Sequence, residues 1–367
     1  MPILPNLDEL RDRLAIPAIN TGRQIHLFGH AAGPVTDDLE GLHAIADENG
    51  CIRLISGTEF SMQMYRGQTQ EYPRCIPTLA RLEKVEDQFL ALCRRIAFED
   101  AIGEHPMVNL AERIRLWDSP LYVDREGLAQ HYGLATDMLD VTSNFDVASF
   151  FATCAWNSVL RKYEPVTDNL ATGVIYRITP ALMCSMARPD EPFGPVHIVG
   201  WQPLPRPEQQ RAFVVKMKPG QDFTSLPTVE TFRFLHQAHI SHRIWNAFDQ
   251  GAALFPADAA AELARRAESL SEFTESQIER AELVGAGGFG THHGTTCDDG
   301  DLNALGGVGL TRIALVGQHN LDTLRIRGDS GHTIHLAFDN VTEPLLDLRM
   351  TSGNDDFHVD LPRLKRC

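Results

Sequence analysis

The sequence predicts an α+β fold in which strands form a mixed or antiparallel sheet and helices flank that sheet. Three observations support this class. Strand-length apolar segments recur along the chain, at 51–57, 173–178 and 211–217. Residues 83–101 instead place their apolar side chains at helical spacing. Beyond residue 310 the apolar period becomes two, which predicts a small β-rich C-terminal appendage.

The N-terminal region is predicted to begin with helices and to continue with strands. Short helical patterns cover residues 6–14 and 37–50, and the second of them ends in a glycine suited to a C-cap. Strands are then predicted at 51–57 and 60–67, because apolar and β-branched residues dominate there. The amphipathic helix at 83–101 follows, and we expect it to cover one side of a sheet.

The middle of the chain is predicted to alternate strands with helices. A short strand at 138–142 leads into a helix that Asn144 caps and that carries Asp146 in its first turn. The Pro-rich passage 189–207 is predicted to be loop, because proline cannot donate a ladder hydrogen bond. Further helices are predicted over 240–251 and from 258 to about 283.

The chain has 367 residues and exceeds the roughly 250 to 300 residues that one hydrophobic core usually serves. We therefore expect more than one structural unit. The boundaries that we predict are an α/β lead-in at 1–54, a main domain at 55–284, a linker or loop at 285–309 that contains nine glycines, and the β-rich appendage at 310–367.

The composition argues against several kinds of partner. A formal net charge of −16 opposes nonspecific binding to nucleic acid and to anionic membranes. The N-terminus lacks the basic leader and apolar core of a signal peptide, and no apolar run has the length of a membrane span, which predicts a cytoplasmic protein. The seven cysteines are scattered and form no C-x-x-C pair, so we expect reduced thiols rather than disulfides or a cysteine-based metal site.

Residues 292–299 hold two histidines, one cysteine and two aspartates, all of them types that can bind a metal. They lie in the Gly-rich segment, which offers no rigid scaffold to hold ligands in place. We therefore interpret this cluster as a loop and predict no metal cofactor. A metal-dependent nuclease is the less supported class that the cluster would suggest.

Arg66 is the first candidate for a binding residue. It stands near the end of a predicted strand and is followed by Gly67 and Gln68. The planar guanidinium holds a pyrophosphate or carboxylate through two parallel hydrogen bonds, and the glycine would let a ligand approach the backbone. The alternative is structural: Arg66 would pair with an acid from the region 140–146.

A second group of polar residues precedes the helix that Asn144 caps. His131, Asp140, Thr142 and Ser143 fall within thirteen residues, and helix N-termini attract anions. The structural alternative is that the hydroxyls serve the cap, that the aspartate holds a turn, and that the histidine is a buried hydrogen-bonding residue.

Three sequence segments together resemble the FRG domain family. They are YRGQ at 65–68, PTLAR at 77–81 and QHYGLATDMLDVTSNFDVASFFA at 130–152. The family is marked by a Phe/Tyr-Arg-Gly opening, then by Gln-His-x-Gly, Leu-Asp-x-Thr and a Phe-Ala helix. A Leu-Phe-Pro segment at 254–256 resembles the end of the family's pattern and extends the resemblance over about 55–270.

Two positions depart from the family pattern Pro-Thr-Arg-Leu-Leu-Asp-Trp-Thr. The arginine of that pattern is Asp137 here, and the tryptophan is Val141. If the family's arginine contacts a ligand phosphate, Arg74 or Arg81 would have to replace it. If it is structural, little changes.

The family in turn resembles ADP-ribosyltransferases, whose split sheet binds NAD. The resemblance implies NAD as a substrate, Arg66, Gly67, Gln68, Asp140, Thr142 and Ser143 as its binding residues, and Glu208, Gln210 and His131 as catalytic candidates. Cleavage of NAD passes through an oxocarbenium-like state, which a facing carboxylate stabilises. Strand alternation leaves open whether Glu208 or Gln210 faces the ribose.

The resemblance implies an NAD-cleaving enzyme that modifies an unknown macromolecule, as a bacterial toxin or antiphage defence effector. The competing expectation is a noncatalytic module that binds a nucleotide or a protein. In that case the C-terminal region would be a surface for a partner or for a second copy of the chain.

Overall fold

The computed structural model describes residues 4–15, 42–46, 51–56, 63–113, 115–116, 119–179, 195–226 and 228–285, together with five strands between residues 312 and 358. The helices are α1 Leu7–Leu14, α2 Val85–Gly103, α3 Pro106–Ala111, α4 Arg125–His131, α5 Phe145–Thr153, α6 Pro205–Gln209, α7 Ala238–Ala247, α8 Ala259–Ser269 and α9 Glu275–Gly285, with 3-10 turns at Leu79–Arg81, Phe223–Ser225 and Asp249–Gly251.

The strands of the first half are β1 Leu42–Ala46, β2 Ile52–Ser56, β3 Met64–Gln68, β4 Arg115–Leu116, β5 Ser119–Pro120, β6 Met138–Thr142, β7 Cys154–Asn157, β8 Lys162–Pro165 and β9 Thr172–Ile178. Those of the second half are β10 Val196–Ile198, β11 Ala212–Lys216, β12 Val229–Leu235, β13 Arg312–Leu315, β14 Thr323–Gly328, β15 Thr333–Ala337, β16 Asp347–Ser352 and β17 Asp355–His358.

A six-stranded antiparallel sheet organises the site, with strand order β10-β11-β6-β3-β9-β12. Its central strand β3 pairs with β9 along its whole length and meets β6 at Tyr65 opposite Thr142. Short two-stranded ribbons form from β4 with β5 and from β7 with β8. The predicted α+β class, with a mostly antiparallel sheet and flanking helices, is confirmed at this level.

Both faces of the central sheet are covered by core residues. Met64 and Tyr65 are neighbours in β3 and enter different hydrophobic clusters, as strand alternation requires. The Tyr65 cluster includes Phe145 of α5 and the three buried leucines of α1. The Tyr65 hydroxyl donates a 2.7 Å hydrogen bond to the Leu14 carbonyl. Helix α1 therefore shares a core with β3 and α5.

The structure corrects the predicted helix at 37–50. Residues 42–46 form β1, which pairs with β2 in the register Leu42 opposite Ser56 and Ala46 opposite Ile52. Strand pairing with a neighbouring segment outweighs the local helical pattern here, since helix propensity is a weak determinant over so few residues. The remaining residues of the predicted helix lie outside the described residues.

The Pro-rich passage predicted as loop also contains regular structure. Val196–Ile198 forms β10, which lies at the edge of its sheet, where flanking prolines are tolerated. Pro205–Gln209 forms α6, whose proline stands in the first turn, where the missing N–H has no helical acceptor. Local sequence patterns also did not predict β12 or the break between α8 and α9.

Strands β13 to β17 pair in succession and β13 pairs with β1, so the strand order of this second antiparallel sheet is β17-β16-β15-β14-β13-β1-β2. The proposed domain boundaries, including a separate appendage at 310–367, stay predictions. The metal-ligand cluster at 292–299 and the glycines between 287 and 309 lie outside the described residues. No helix in the described part of the chain is long and apolar enough to cross a bilayer.

Candidate functional site

A cavity of about 420 Å³ opens beside β3, β6 and α5. This volume falls within the range of about 300 to 1,000 Å³ that is typical of small-molecule sites. The sequence-predicted residues that line it are Arg66, Gly67, Gln68, His131, Asp140, Thr142 and Gln210. It is also lined by Tyr65, Thr69, Tyr72, Arg81, Val141, Val147, Ala148, Phe151, Cys154, Ala155, Trp156 and Tyr163.

Arg66 enters the cavity from the central strand β3. Its Nη1 donates a 2.7 Å hydrogen bond to the backbone carbonyl of Asp140, whereas its buried Nε has no hydrogen-bond partner. Among the described residues no carboxylate lies within 4.0 Å of the guanidinium. The structural alternative, an ion pair with an acid from 140–146, is therefore not what the structure shows.

Arg81 supplies a second positive charge to the same cavity. It ends a 3-10 turn, and its Nε donates a 3.0 Å hydrogen bond to the Ile76 carbonyl. Burial lowers the pKa of Arg81, and the nearby Arg66 guanidinium lowers it further. Arg74, the other candidate compensating cation, is exposed and donates to the Gly220 carbonyl instead. Two neighbouring guanidiniums that have no carboxylate partner among the residues the structure describes form a site that favours an anion.

His131 reaches the cavity from the last residue of α4. Its side chain is only 2% exposed, and its Nδ1 lies 3.0 Å from the Gln210 Oε1. The Gln210 Nε2 donates a 3.0 Å hydrogen bond to the Leu254 carbonyl. The Nε2 of His131 is buried, has no hydrogen-bond partner and lies 3.6 Å from the Asp140 Oδ1.

Asp140 provides the carboxylate of the cavity. Its Oδ2 accepts a 2.9 Å hydrogen bond from the Gln130 Nε2, and its Oδ1 is buried without a partner. The aspartate lies in the middle of β6 and is opposite Val214 of β11. The structural alternative, in which Asp140 holds a turn, does not apply, because the aspartate lies on a regular strand as predicted.

The remaining binding candidates divide between the cavity and the framework. Thr142 lines the cavity, and its Oγ1 accepts a 3.1 Å hydrogen bond from the Asn144 backbone N–H. Ser143 is buried with an unpaired Oγ and is not among the lining residues. Gln68 is buried, and its Oε1 has no partner. The structure therefore brings Thr142 and Gln68, but not Ser143, to the cavity.

Gly67 has a packing role that the sequence did not reveal. A Cβ at this position would lie 1.9 Å from the carbonyl oxygen of Ala148 and 2.7 Å from the backbone nitrogen of Ala152. The glycine therefore lets α5 approach the sheet closely. This helix contact is sufficient to account for the absence of a side chain there, and the approach of a ligand to the Gly67 backbone stays a prediction.

The structure separates the two residues between which strand alternation could not decide. Glu208 belongs to α6 rather than to a strand, so alternation does not apply to it, and it is not among the lining residues. Burial raises the pKa of its carboxyl. Gln210, the C-cap of α6, faces the cavity. Of these two alternatives, the structure brings Gln210 and not Glu208 to the cavity, and a catalytic role for either residue stays a prediction.

Of the two residues that depart from the family pattern, Val141 lines the cavity and Asp137 does not. Burial and the neighbouring Glu126 raise the pKa of its carboxyl, whereas Lys216 and Arg95 oppose this effect. The lysine donates a 2.9 Å hydrogen bond to Glu126. The acid thus joins a partly buried cluster of both charges that lies outside the cavity lining.

Aromatic side chains form one wall of the cavity, and the sequence analysis did not identify them. The rings of Trp156 and Tyr163 pack edge to face with their centroids 5.1 Å apart. The centroid of the Phe151 ring lies 5.9 Å from that of Tyr163. Trp156 and Tyr72 are about half exposed. A tryptophan that stays exposed next to a cavity offers a surface on which a planar ring can stack. Trp156 and Tyr163 lie on the β7–β8 ribbon, which carried no recognised sequence signal.

Comparison with known families supports part of the expected resemblance. The family model described as the FRG domain matches residues 61–159. No curated protein and no solved structure gave a match. The match covers Arg66, Arg81, His131 and Asp140, and it ends before Gln210 and before the later segment of the expected resemblance. The chain therefore contains an FRG domain over residues 61–159.

Proposed function

We propose that the FRG domain of this chain forms the centre of an enzyme that binds NAD as its substrate and breaks the bond between nicotinamide and ribose. The fold that we propose is correspondingly similar to that of ADP-ribosyltransferases. The observation that carries the proposal is the convergence of polar groups in one cavity. Within the described part of the chain, Arg66 Nε, Gln68 Oε1, His131 Nε2 and Asp140 Oδ1 are all buried, lack hydrogen-bond partners and belong to residues that line that cavity.

Unpaired buried polar atoms are rare in proteins because each costs free energy, and a cluster of them in a concave site favours a ligand. Arg66 and Arg81 suit a pyrophosphate, since a guanidinium donates two parallel hydrogen bonds to phosphate oxygens. The wall formed by Phe151, Trp156 and Tyr163 suits a planar base. The cavity therefore offers complementary surfaces for both parts of a dinucleotide.

The proposed reaction uses two further side chains that line the cavity, Asp140 and His131. Nicotinamide leaves with the electron pair of the glycosidic bond, and positive charge develops on the ribose. The Asp140 carboxylate lies in the cavity, where it would stabilise that charge, and removal of one such electrostatic contact typically costs roughly 10² to 10³ in rate. A water molecule or an acceptor hydroxyl then attacks the ribose carbon, and its proton passes through a ribose hydroxyl to His131 Nε2.

The test is nicotinamide release by purified protein that is incubated with labelled NAD, with and without cell extract as a source of acceptor. We expect Arg66→Ala and Arg81→Ala to lower kcat/KM roughly 10- to 100-fold, because each removes charge-assisted hydrogen bonds. Arg74→Ala is the matched control, since Arg74 is an arginine outside the cavity. No product in any mixture, or equal losses in all three variants, would contradict the proposal.

A noncatalytic nucleotide-binding module is the second candidate, and one observation favours it. Gln210 faces the cavity where the resemblance led us to consider a glutamate, and a neutral amide stabilises a developing positive charge less than a carboxylate does. Calorimetric binding of NAD or ADP-ribose without nicotinamide release would support this candidate. The macromolecular acceptor, the role as a toxin or antiphage defence effector, and association through the C-terminal region stay predictions.

A further inference from the structure

We infer that His131 and Asp140 form a subsite for sugar hydroxyls, which makes the cavity selective for a ligand with a free diol near its phosphates. The inference rests on the proposed function for the identity of the ligand. The chemical basis of the inference is independent of the proposed function, because it depends only on which atoms of the two side chains can accept a hydrogen bond.

The first step concerns the tautomer of His131. A backbone carbonyl can only accept, so the Gln210 atom that lies 3.0 Å from the Leu254 carbonyl must be the amide nitrogen. The Gln210 Oε1 therefore faces His131 and can only accept from it. The proton of a neutral imidazole must then sit on Nδ1, which leaves a lone pair on the buried Nε2.

The second step concerns the orientation of Asp140. The Thr136 Oγ1 accepts a 3.1 Å hydrogen bond from the Met138 N–H, and its own proton points to the Gln130 Oε1. The Gln130 amide nitrogen is thereby directed to Asp140, where it donates to Oδ2 at 2.9 Å. The carboxylate is held in this way with Oδ1 unpaired.

The hydrogen bonds with Gln210 and Gln130 therefore leave two neighbouring acceptor atoms without a donor. His131 Nε2 and Asp140 Oδ1 lie 3.6 Å apart, beyond hydrogen-bond distance, and neither can donate to the other while the imidazole is neutral. A phosphate or carboxylate would add further acceptors to this pair. A diol brings two O–H donors, one for each atom, and it leaves the phosphates to Arg66 and Arg81.

The preferred ligand is thus a phosphorylated ribose rather than a deoxyribose. We expect ADP-ribose to bind at least about tenfold more tightly than an analogue that lacks one hydroxyl of the terminal ribose, equivalent to about 1.4 kcal/mol. Asp140→Asn keeps the shape of the side chain and replaces one oxygen acceptor by a donor. This variant should lose most of the discrimination while it retains affinity for the deoxy analogue.

The experiment combines calorimetry with these two ligands and long-range ¹⁵N–¹H NMR of the histidine side chains, with the His131 signals assigned by their loss in His131→Asn. The expected result is an Nδ1–H tautomer in the free protein, together with preference for the intact diol. An Nε2–H tautomer, or equal affinities in the wild type, overturns the inference. If neither ligand binds, the NAD proposal fails, and the tautomer alone decides whether the acceptor pair is formed as inferred.

Discussion

Replacement of Gly67 by alanine tests how closely α5 packs on the central sheet. The new Cβ would lie 1.9 Å from the Ala148 carbonyl oxygen, whereas ordinary contacts begin at 3.4 Å, so strand and helix would have to separate by about 1.5 Å. Both nearest residues contribute backbone atoms of α5, which cannot rotate away as a side chain would. The same interface between β3 and α5 includes Tyr65 and Phe145, whose rings pack edge to face with their centroids 5.2 Å apart.

The expected cost of Gly67→Ala is at the upper end of the range for overpacked cores, about 3 kcal/mol. The opposing gain from reduced backbone freedom in the unfolded chain is only about 0.4 to 1 kcal/mol. For a cooperative unit of about 150 to 250 residues, 1 kcal/mol shifts Tm by roughly 2 to 4 °C. We therefore expect Tm to fall by roughly 5 to 10 °C.

The assay is thermal unfolding followed by circular dichroism, with urea unfolding as a second measure. Gly285→Ala is the control, because a Cβ there would meet Leu92 at an ordinary distance of 3.8 Å. We expect that control to unfold at the wild-type temperature or up to about 4 °C above it, because only the gain from reduced backbone freedom applies there. A Gly67→Ala protein that unfolds as late as the control would refute the close packing of α5 on β3.

Three further predictions concern stability and reactivity. Burial raises the pKa of Glu99 to about 7 despite the attraction of Arg95, so the folded protein binds this proton more tightly than the unfolded chain between pH 4.5 and about 7. The contribution of Glu99 to stability therefore falls as pH rises through that range. At pH 8 the Glu99→Gln protein should be more stable than the wild type by up to about 3 kcal/mol, and at pH 5 this difference should vanish. Urea unfolding at the two pH values measures it. Tyr65→Phe should lower stability by about 1 to 2 kcal/mol in the same assay, because the Leu14 carbonyl loses its buried donor. Burial raises the pKa of Cys154 to about 12, so iodoacetamide at pH 8 should modify this thiol only after unfolding, as read by mass spectrometry.

Each of these predictions has a comparison that can contradict it. Glu279→Gln changes an exposed glutamate of α9, and a pH-dependent difference as large as that of Glu99→Gln would show that the effect is not due to burial. Tyr72→Phe removes a hydroxyl from a half-exposed ring and should change stability by less than about 0.5 kcal/mol. Modification of Cys154 in the native protein as fast as in urea would mean that its surroundings are open to reagent.

Much of the region around the site could be predicted from local sequence patterns. The strand at 138–142 has the observed bounds, and the Asn144 side chain accepts hydrogen bonds from the backbone of Asp146 and Val147 at 2.8 and 3.1 Å. A cap of this kind acts over three residues, so the sequence contains all the information needed to recognise it. Arg66 could be identified as a candidate binding residue for the same reason, since a strand that ends in Arg-Gly is a local pattern.

The sequence by itself therefore determined the α+β class, the amphipathic helix that became α2, and several residues that line the cavity. Only the tertiary structure decided that residues 42–46 are a strand, that Gln210 rather than Glu208 faces the cavity, and that Arg81 accompanies Arg66. The physical reason is that these outcomes depend on partners far along the chain. Strand pairing, burial and the meeting of like charges are properties of the packed fold, and no local periodicity encodes them.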